Sequence, residues 1–240
     1  MYMRTIKSSP QTSYSERGIT MKKIGAITVG QSPRVDLIPE IQPILGDSIE
    51  IIQAGALDGL SKEEIAKFVP RPGESILVSR LADGTSAMFG ESYIIPRLQL
   101  CIDNLEKQGV SLILFLCTGE FPAEFRSNVP LIFPDHILKG LIPAIGVKNL
   151  SVIIPAKAQA EQMPEKWKEC CNSLHITPVS PYGDPQAVFE AAKDIPADTD
   201  LILLDCIGYT IEMKERIQAL TQKPVLLSRT LVARVIRELA

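Results

Sequence analysis

At 240 residues and 45% hydrophobic, the chain carries enough apolar mass to bury one core, or two small ones, without covalent staples. A formal net charge of -3 argues against nucleic acid or an anionic membrane surface as partner, and no apolar run approaches the roughly 20 residues of a membrane span. Five cysteines in no disulfide spacing read as reduced thiols of a cytoplasmic protein, and two histidines without a Cys-x-x-Cys pair argue against a bound metal such as structural zinc.

Met1 to Thr20 are polar and Ser-rich with no apolar h-region, so they do not read as a secretory signal. Met21-Lys22-Lys23-Ile24 looks like a natural start, and residues 1–20 are expected to form a mobile extension. From Met21 onward strand and helix patterns alternate, which predicts an α/β fold with mainly parallel sheets and helices on their faces. The expected strands are Ile24 to Val29, Ile49 to Gln53, Ile76 to Ser79, Leu112 to Leu116, Ser151 to Ile154, Ile176 to Val179, Leu201 to Leu204 and Pro224 to Leu227. Most are apolar on both faces, as buried parallel strands must be.

Gly30-Gln31-Ser32-Pro33-Arg34 follows the first strand, where anion-binding turns lie in such sheets. Gln31 and Ser32 are candidates to bind a polar ligand group, and Arg34 can grip a carboxylate with two parallel bonds. The plainer reading makes Ser32 a helix cap followed by Pro33 at the first helical position. The glycine spacing is not Gly-x-Gly-x-x-Gly, so no dinucleotide cofactor is implied. Pro39 and Pro43 fall inside the helix pattern that follows and predict a kinked helix or two short ones. Asp58, in Ala56-Leu57-Asp58-Gly59, is either a ligand contact or a turn residue. Ser61 and Glu64 make a capping box. Asp83-Gly84 predicts a hairpin that adds one antiparallel strand to the sheet. Ser92 to Gln108 reads as a helix with Ile94, Leu98, Ile102 and Leu105 on one face and Gly109 as its cap.

Two cysteines occupy matching places in the two halves. Cys117 closes the run Leu112-Ile113-Leu114-Phe115-Leu116, Cys206 closes Leu201-Ile202-Leu203-Leu204-Asp205, and Gly119 or Gly208 follows each. Strand ends of parallel sheets open onto the ligand crevice, so the two thiols are placed to face each other across a substrate. Two-base proton transfer needs that arrangement, with one group ionised and the other protonated. A free thiol, at a pKa of about 8.5, serves both roles. The competing reading is that both are small buried hydrophobes. Thr118, Gly119 and Gly208 are candidates to supply anion-binding backbone. Asp205 neighbours Cys206 in an extended segment and is expected to face away from it. Lys157 and Gln159, just past Ser151 to Ile154, are placed to line the cleft from the other side. Cys101, Cys170 and Cys171 read as packing residues, and neither His136 nor His175 is spaced to activate a cysteine.

A lobe boundary is expected near Val129-Pro130, with the closing strand and helix returning to the first lobe. The lobes are then 21–129 plus 223–240 and 130–222.

Thr28-Val29-Gly30-Gln31-Ser32-Pro33-Arg34, Gly55-Ala56-Leu57-Asp58-Gly59-Leu60, Leu116-Cys117-Thr118-Gly119 and Leu204-Asp205-Cys206-Ile207-Gly208 resemble the AroM family from about Met21 to Ala240. More distantly, the layout is similar to the aspartate/glutamate/hydantoin racemase superfamily. Val152-Ile153-Ile154-Pro155 resembles the start of its second lobe, and Pro224-Val225-Leu226-Leu227-Ser228 its closing strand. The resemblance implies two Rossmann-like lobes with a cleft between them and cofactor-free acid/base chemistry by Cys117 and Cys206. It also implies a small carboxylate-bearing ligand and pairing into a homodimer. Racemases of that superfamily typically carry Cys-Asn-Thr-Ala and Gly-Cys-Thr where this chain has Cys117-Thr118-Gly119-Glu120 and Asp205-Cys206-Ile207, which points away from an ordinary amino-acid substrate. Two other readings stay open: a non-catalytic small-molecule binder on the same scaffold, and a decarboxylase-like enzyme that uses one thiol.

Overall fold

A computed structural model of the chain describes residues 21–121 and 124–240, so the expectation for residues 1–20 lies outside the described residues. The first lobe runs through β1 (Lys22–Thr28), α1 (Ile38–Leu45), β2 (Ile49–Gly55), α2 (Lys62–Ile65), β3 (Ile76–Arg80), β4 (Ser86–Gly90), α3 (Glu91–Lys107), β5 (Ile113–Phe115) and β6 (Leu131–Ile132). Four of these strands form a parallel sheet in the order β2-β1-β5-β6. β1 is buried on both faces from Ile24 onward because helices cover the sheet on each side. On one side α3 comes so close that a Cβ at Gly25 would stand 2.9 Å from the Leu105 side chain. Ile94, Leu98, Ile102 and Leu105 form the buried face of α3, and Gly109, at φ +78°, ends it in the left-handed conformation glycine tolerates.

Two expectations give way in this lobe. The prolines after Pro33 do not divide a helix: residues 35–37 turn, and one eight-residue helix starts at Ile38 with Pro39 in its first turn. Ser32 therefore caps nothing. The hairpin β3–β4 forms as its turn demanded, but among the described residues its strands pair only with each other and add nothing to the main sheet. Its buried Leu77 and Phe89 fix it to the first lobe's core instead.

The second lobe contains α4 (Pro134–Ala144), β7 (Asn149–Ile154), a 3-10 turn (Lys157–Gln162), α5 (Met163–Trp167), β8 (Ser173–Pro178), α6 (Pro185–Ala191), β9 (Leu201–Leu204), α7 (Ile211–Thr221) and β10 (Val225–Leu227), followed by α8 (Ser228–Leu239). Its parallel sheet reads β8-β7-β9-β10. That is the order of the first sheet, with β7 in the place of β1 and β9 in the place of β5.

The strands move the expected boundaries. Leu131–Ile132 pairs with β5 and extends the first sheet past Val129-Pro130. The closing strand β10 pairs with β9 in the second sheet, so only α8 of the segment 223–240 returns to the first lobe. The helices after the two last strands are exchanged. Leu138 and Ile142 of α4 pack in the second lobe's core, while Val232, Ala233 and Ile236 of α8 pack in the first's. Buried Arg229 adds polar contacts at this crossing: its guanidinium donates to the carbonyls of Ile207, Gly208 and Asp36 and pairs with Glu40 at 2.8 Å.

Candidate active site

Each cysteine lies just past the end of its strand, Cys117 after β5 and Cys206 after β9, at equivalent points of the two sheets. Both line one cavity of about 30 Å³ together with Leu77, Ser79, Gln159 and Tyr182. The space is water-sized. The chain bends back at each thiol, so that Gly119 N–H donates to Cys117 Sγ at 3.3 Å and Gly208 N–H donates to Cys206 Sγ at 3.4 Å. The glycine backbone expected to bind a ligand anion is aimed at the sulfur of its own loop.

Burial pushes the Cys117 thiol up to about 12, against the pull of the Gly119 N–H, with charge on Cys206 raising it further. Burial raises Cys206 too, but three groups oppose it: the Gly208 N–H, the Tyr182 hydroxyl and the Arg34 guanidinium. Tyr182 Oη lies 3.7 Å from Cys206 Sγ. Arg34 is 1% exposed and holds Asp36 through two hydrogen bonds of 2.8 Å. Burial would raise the Asp36 carboxyl, yet its bonds to Arg34 hold it below the usual range.

Beside the thiols lies a chamber of about 270 Å³, which shares Leu77, Thr118, Gly119, Pro155, Gln159 and Asp205 with the smaller cavity. Its cation is Lys166, whose Nζ donates to Asp205 Oδ2 at 2.7 Å and to the Thr118 carbonyl at 2.8 Å. The ion pair is buried within the second lobe, and the bond to the Thr118 carbonyl ties it to the first. Asp205 Oδ1 has no hydrogen-bond partner among the described residues. The expectation that Asp205 faces away from the thiol fails because β9 ends at Leu204; strand alternation no longer governs the next two residues. On the opposite wall, Gln159 and Gln162 donate to the carbonyls of Ile76 and Glu74, which closes the second lobe against β3 and the loop before it.

The other sequence candidates lie elsewhere. Gln31 spends its amide on Leu57 O, Leu60 O and Ala82 N–H. Asp58 accepts from Ser32 N–H and Oγ and from Gly55 N–H. These three staple neighbouring loops and line neither cavity. Lys157 is exposed and outside both; Gln159, two residues on, is the contact from that turn. Lys166 and Tyr182 escaped the sequence reading. A lysine beside a tryptophan and a tyrosine in a Pro-Tyr-Gly turn carry no local signal, and only the folding of the second lobe brings them beside Asp205 and Cys206. Among the described residues no group of three or more His, Cys, Asp or Glu side chains is placed to hold a metal ion, and no helix is long and apolar enough to cross a membrane.

The sequence profile of the AroM protein family matches residues 24–240. The chain belongs to the AroM family. No curated protein matches it in sequence. Solved structures place this AroM-family chain in the fold of the aspartate/glutamate/hydantoin racemase superfamily. It is similar to the allantoin racemase from Klebsiella pneumoniae, at 15% identity and a TM-score of 0.57 over 91% of this chain and 87% of that one. It is also similar to a maleate cis-trans isomerase from Nocardia farcinica, at 14% identity and a TM-score of 0.61 over 91% and 92%. An arylmalonate decarboxylase matches at 15% identity with a TM-score of 0.60 over 90% and 92%. At these identities the likeness establishes the AroM chain's fold alone.

Proposed function

We propose that this AroM-family protein is a cofactor-independent enzyme of the racemase/isomerase type. It moves a proton at a carbon adjacent to a carboxylate, with Cys117 and Cys206 as the acid/base pair. The observation that carries this reading is the cavity itself: two thiols from equivalent strand ends, each receiving a backbone N–H, enclose one space. The names of the similar structures, two isomerising enzymes and a decarboxylase, support it.

In the forward half-reaction the thiolate takes the α-proton. The C–H bond breaks, an S–H bond forms, and the electron pair moves into the carboxylate as an enediolate. The second thiol then delivers its proton to the opposite face; its S–H bond breaks, a C–H bond forms, and it becomes the thiolate. Charge and electrons balance within the pair. Because the titrations are coupled, the two ionisations belong to the pair. A water-sized space requires the wall of Leu77 and Gln159 to move before a substrate reaches the sulfurs, and the 270 Å³ chamber beyond that wall suits a small acid.

The test is α-proton exchange in heavy water across a panel of small carboxylic acids, followed by proton NMR, with wild type, Cys117→Ala and Cys206→Ala. Each variant is expected to lose about 10²- to 10⁴-fold in interconversion rate. The unequal surroundings of the thiols favour one second reading, a single-cysteine enzyme; there one replacement abolishes turnover and the other only weakens it. Binding of an acid that survives replacement of both cysteines by serine, with no exchange in wild type, would overturn both.

A further inference from the structure

We propose that Tyr182 is the positioning residue that makes Cys206 the more readily ionised thiol of the pair and Cys117 the less. Its catalytic meaning rests on the two-thiol reading above; the ionisation it predicts is measurable without a substrate.

Tyr182 lies in the loop after β8, where its own N–H is held by Ser180 Oγ at 3.1 Å. The ring comes over Gly208, where a Cβ would stand 2.6 Å from the phenol carbon and oxygen. Only the missing side chain at 208 lets the hydroxyl reach Cys206 Sγ at 3.7 Å. A phenol has one proton to donate, and a hydrogen bond to an ionised acceptor is roughly twice as strong as one to a neutral acceptor. Burial keeps this phenol protonated, because it raises the hydroxyl well above its ordinary pKa. The contact therefore stabilises sulfur as an anion more than as a thiol.

The remaining groups around Cys206 come from three segments. Arg34, backed by Asp36, contributes positive charge from the β1–α1 loop. Asp205 and Tyr209 flank the thiol on its own loop; Asp205 opposes its ionisation, and Tyr209 donates its hydroxyl to Val179 O at 2.6 Å. Cys117 faces it across the cavity. Among the described residues Cys117 Sγ accepts from the Gly119 N–H and from no hydroxyl. Lys166, held by Asp205 and the Thr118 carbonyl, draws the Cys117 thiol down, and the carboxylate of Asp135 pushes it up. Each thiol thus has one paired cation and one glycine N–H, and the phenol at Cys206 makes the two loops unequal.

The experiment is the rate of iodoacetamide labelling of Cys206 and Cys117 against pH, resolved by mass spectrometry on the full chain. It compares wild type with Tyr182→Phe and Gly208→Ala, the second of which expels the ring while keeping its hydroxyl. In wild type Cys206 is expected to label at lower pH than Cys117. Both variants should move the Cys206 profile up by about one pH unit, close to tenfold slower labelling at neutral pH, and leave the Cys117 profile in place or lower it. An unmoved Cys206 midpoint in both variants overturns the proposal. So does an equal change at both thiols, which marks loosened packing. A shift confined to Cys206 in a protein that exchanges no α-proton upholds the proposal and counts against the two-thiol enzyme. Exchange in wild type with no shift in either variant does the reverse.

Discussion

The loops after β5 and β9 begin alike and end differently. Each follows the equivalent strand of a four-stranded parallel sheet, each places a cysteine just past the strand, and each returns a glycine N–H to the sulfur. The surroundings then diverge. Behind Cys117 stands a buried ion pair, Lys166 with Asp205, tied to the Thr118 carbonyl. Behind Cys206 stand a phenol and an arginine already matched to Asp36. The backbone, set by the repeated sheet order, supplies the same hydrogen bond twice. Charge is decided by side chains that arrive from other elements, one set per thiol, so the symmetry of the fold does not extend to the chemistry.

Breaking the Cys117 side should cost the most. Lys166→Met leaves the Asp205 carboxylate buried without its cation, a loss of about 3–5 kcal/mol. Urea unfolding checks this, and the double variant Lys166→Met/Asp205→Leu should recover most of the loss because it removes both charges. Equal instability in single and double variants would show that the pair is not what matters there. Gly119→Ala sharpens the comparison more gently. Its Cβ would meet the Leu77 side chain at 2.9 Å, so overpacking should cost about 1–3 kcal/mol and push the hairpin off the cavity. Cys117 should then label faster at every pH with its midpoint unmoved, unlike the midpoint shift expected at Cys206 from Gly208→Ala.

A further effect, confined to alkaline pH, concerns the buried thiols. Burial raises Cys101 to about 11 and Cys117 to about 12, against about 8.5 for an unfolded thiol. The unfolded chain releases these protons first, so the contribution is intact below about pH 8.5 and is lost as pH climbs toward the folded values. Each thiol should remove about 1.4 kcal/mol per pH unit within that window. Urea midpoints measured at pH 8 and pH 10 test the slope, and Cys101→Ala should flatten it by one thiol's share.

The thiols themselves were legible because long apolar runs announce buried strands and a cysteine at such an end stands out. The runs Leu112 to Leu116 and Leu201 to Leu204 lie where the strands β5 and β9 form. Leu131–Ile132 was not legible, since two residues carry no period. Gln31, Ser32 and Asp58 have the chemistry of ligand contacts, but polar groups in a crowded loop region satisfy each other first. Lys166 and Tyr182 stayed hidden for the opposite reason. Each owes its place to a partner far along the chain, Thr118 and Asp205 for one and Cys206 for the other, and no spacing rule reaches that far.

The exchanged helices bear on how the protein is made. α8 supplies Val232, Ala233 and Ile236 to the core beneath β1, and Arg237 donates to the Leu45 carbonyl at the end of α1. A ribosome delivers that helix long after it has delivered β1. The first lobe therefore emerges with one sheet face covered by α1 alone, and it can complete its core only once the second lobe's closing strand has brought α8 into reach. A nascent chain halted inside the second lobe would present the uncovered part of that apolar face to chaperones, so the two lobes mature as one cooperative unit even though each owns a sheet.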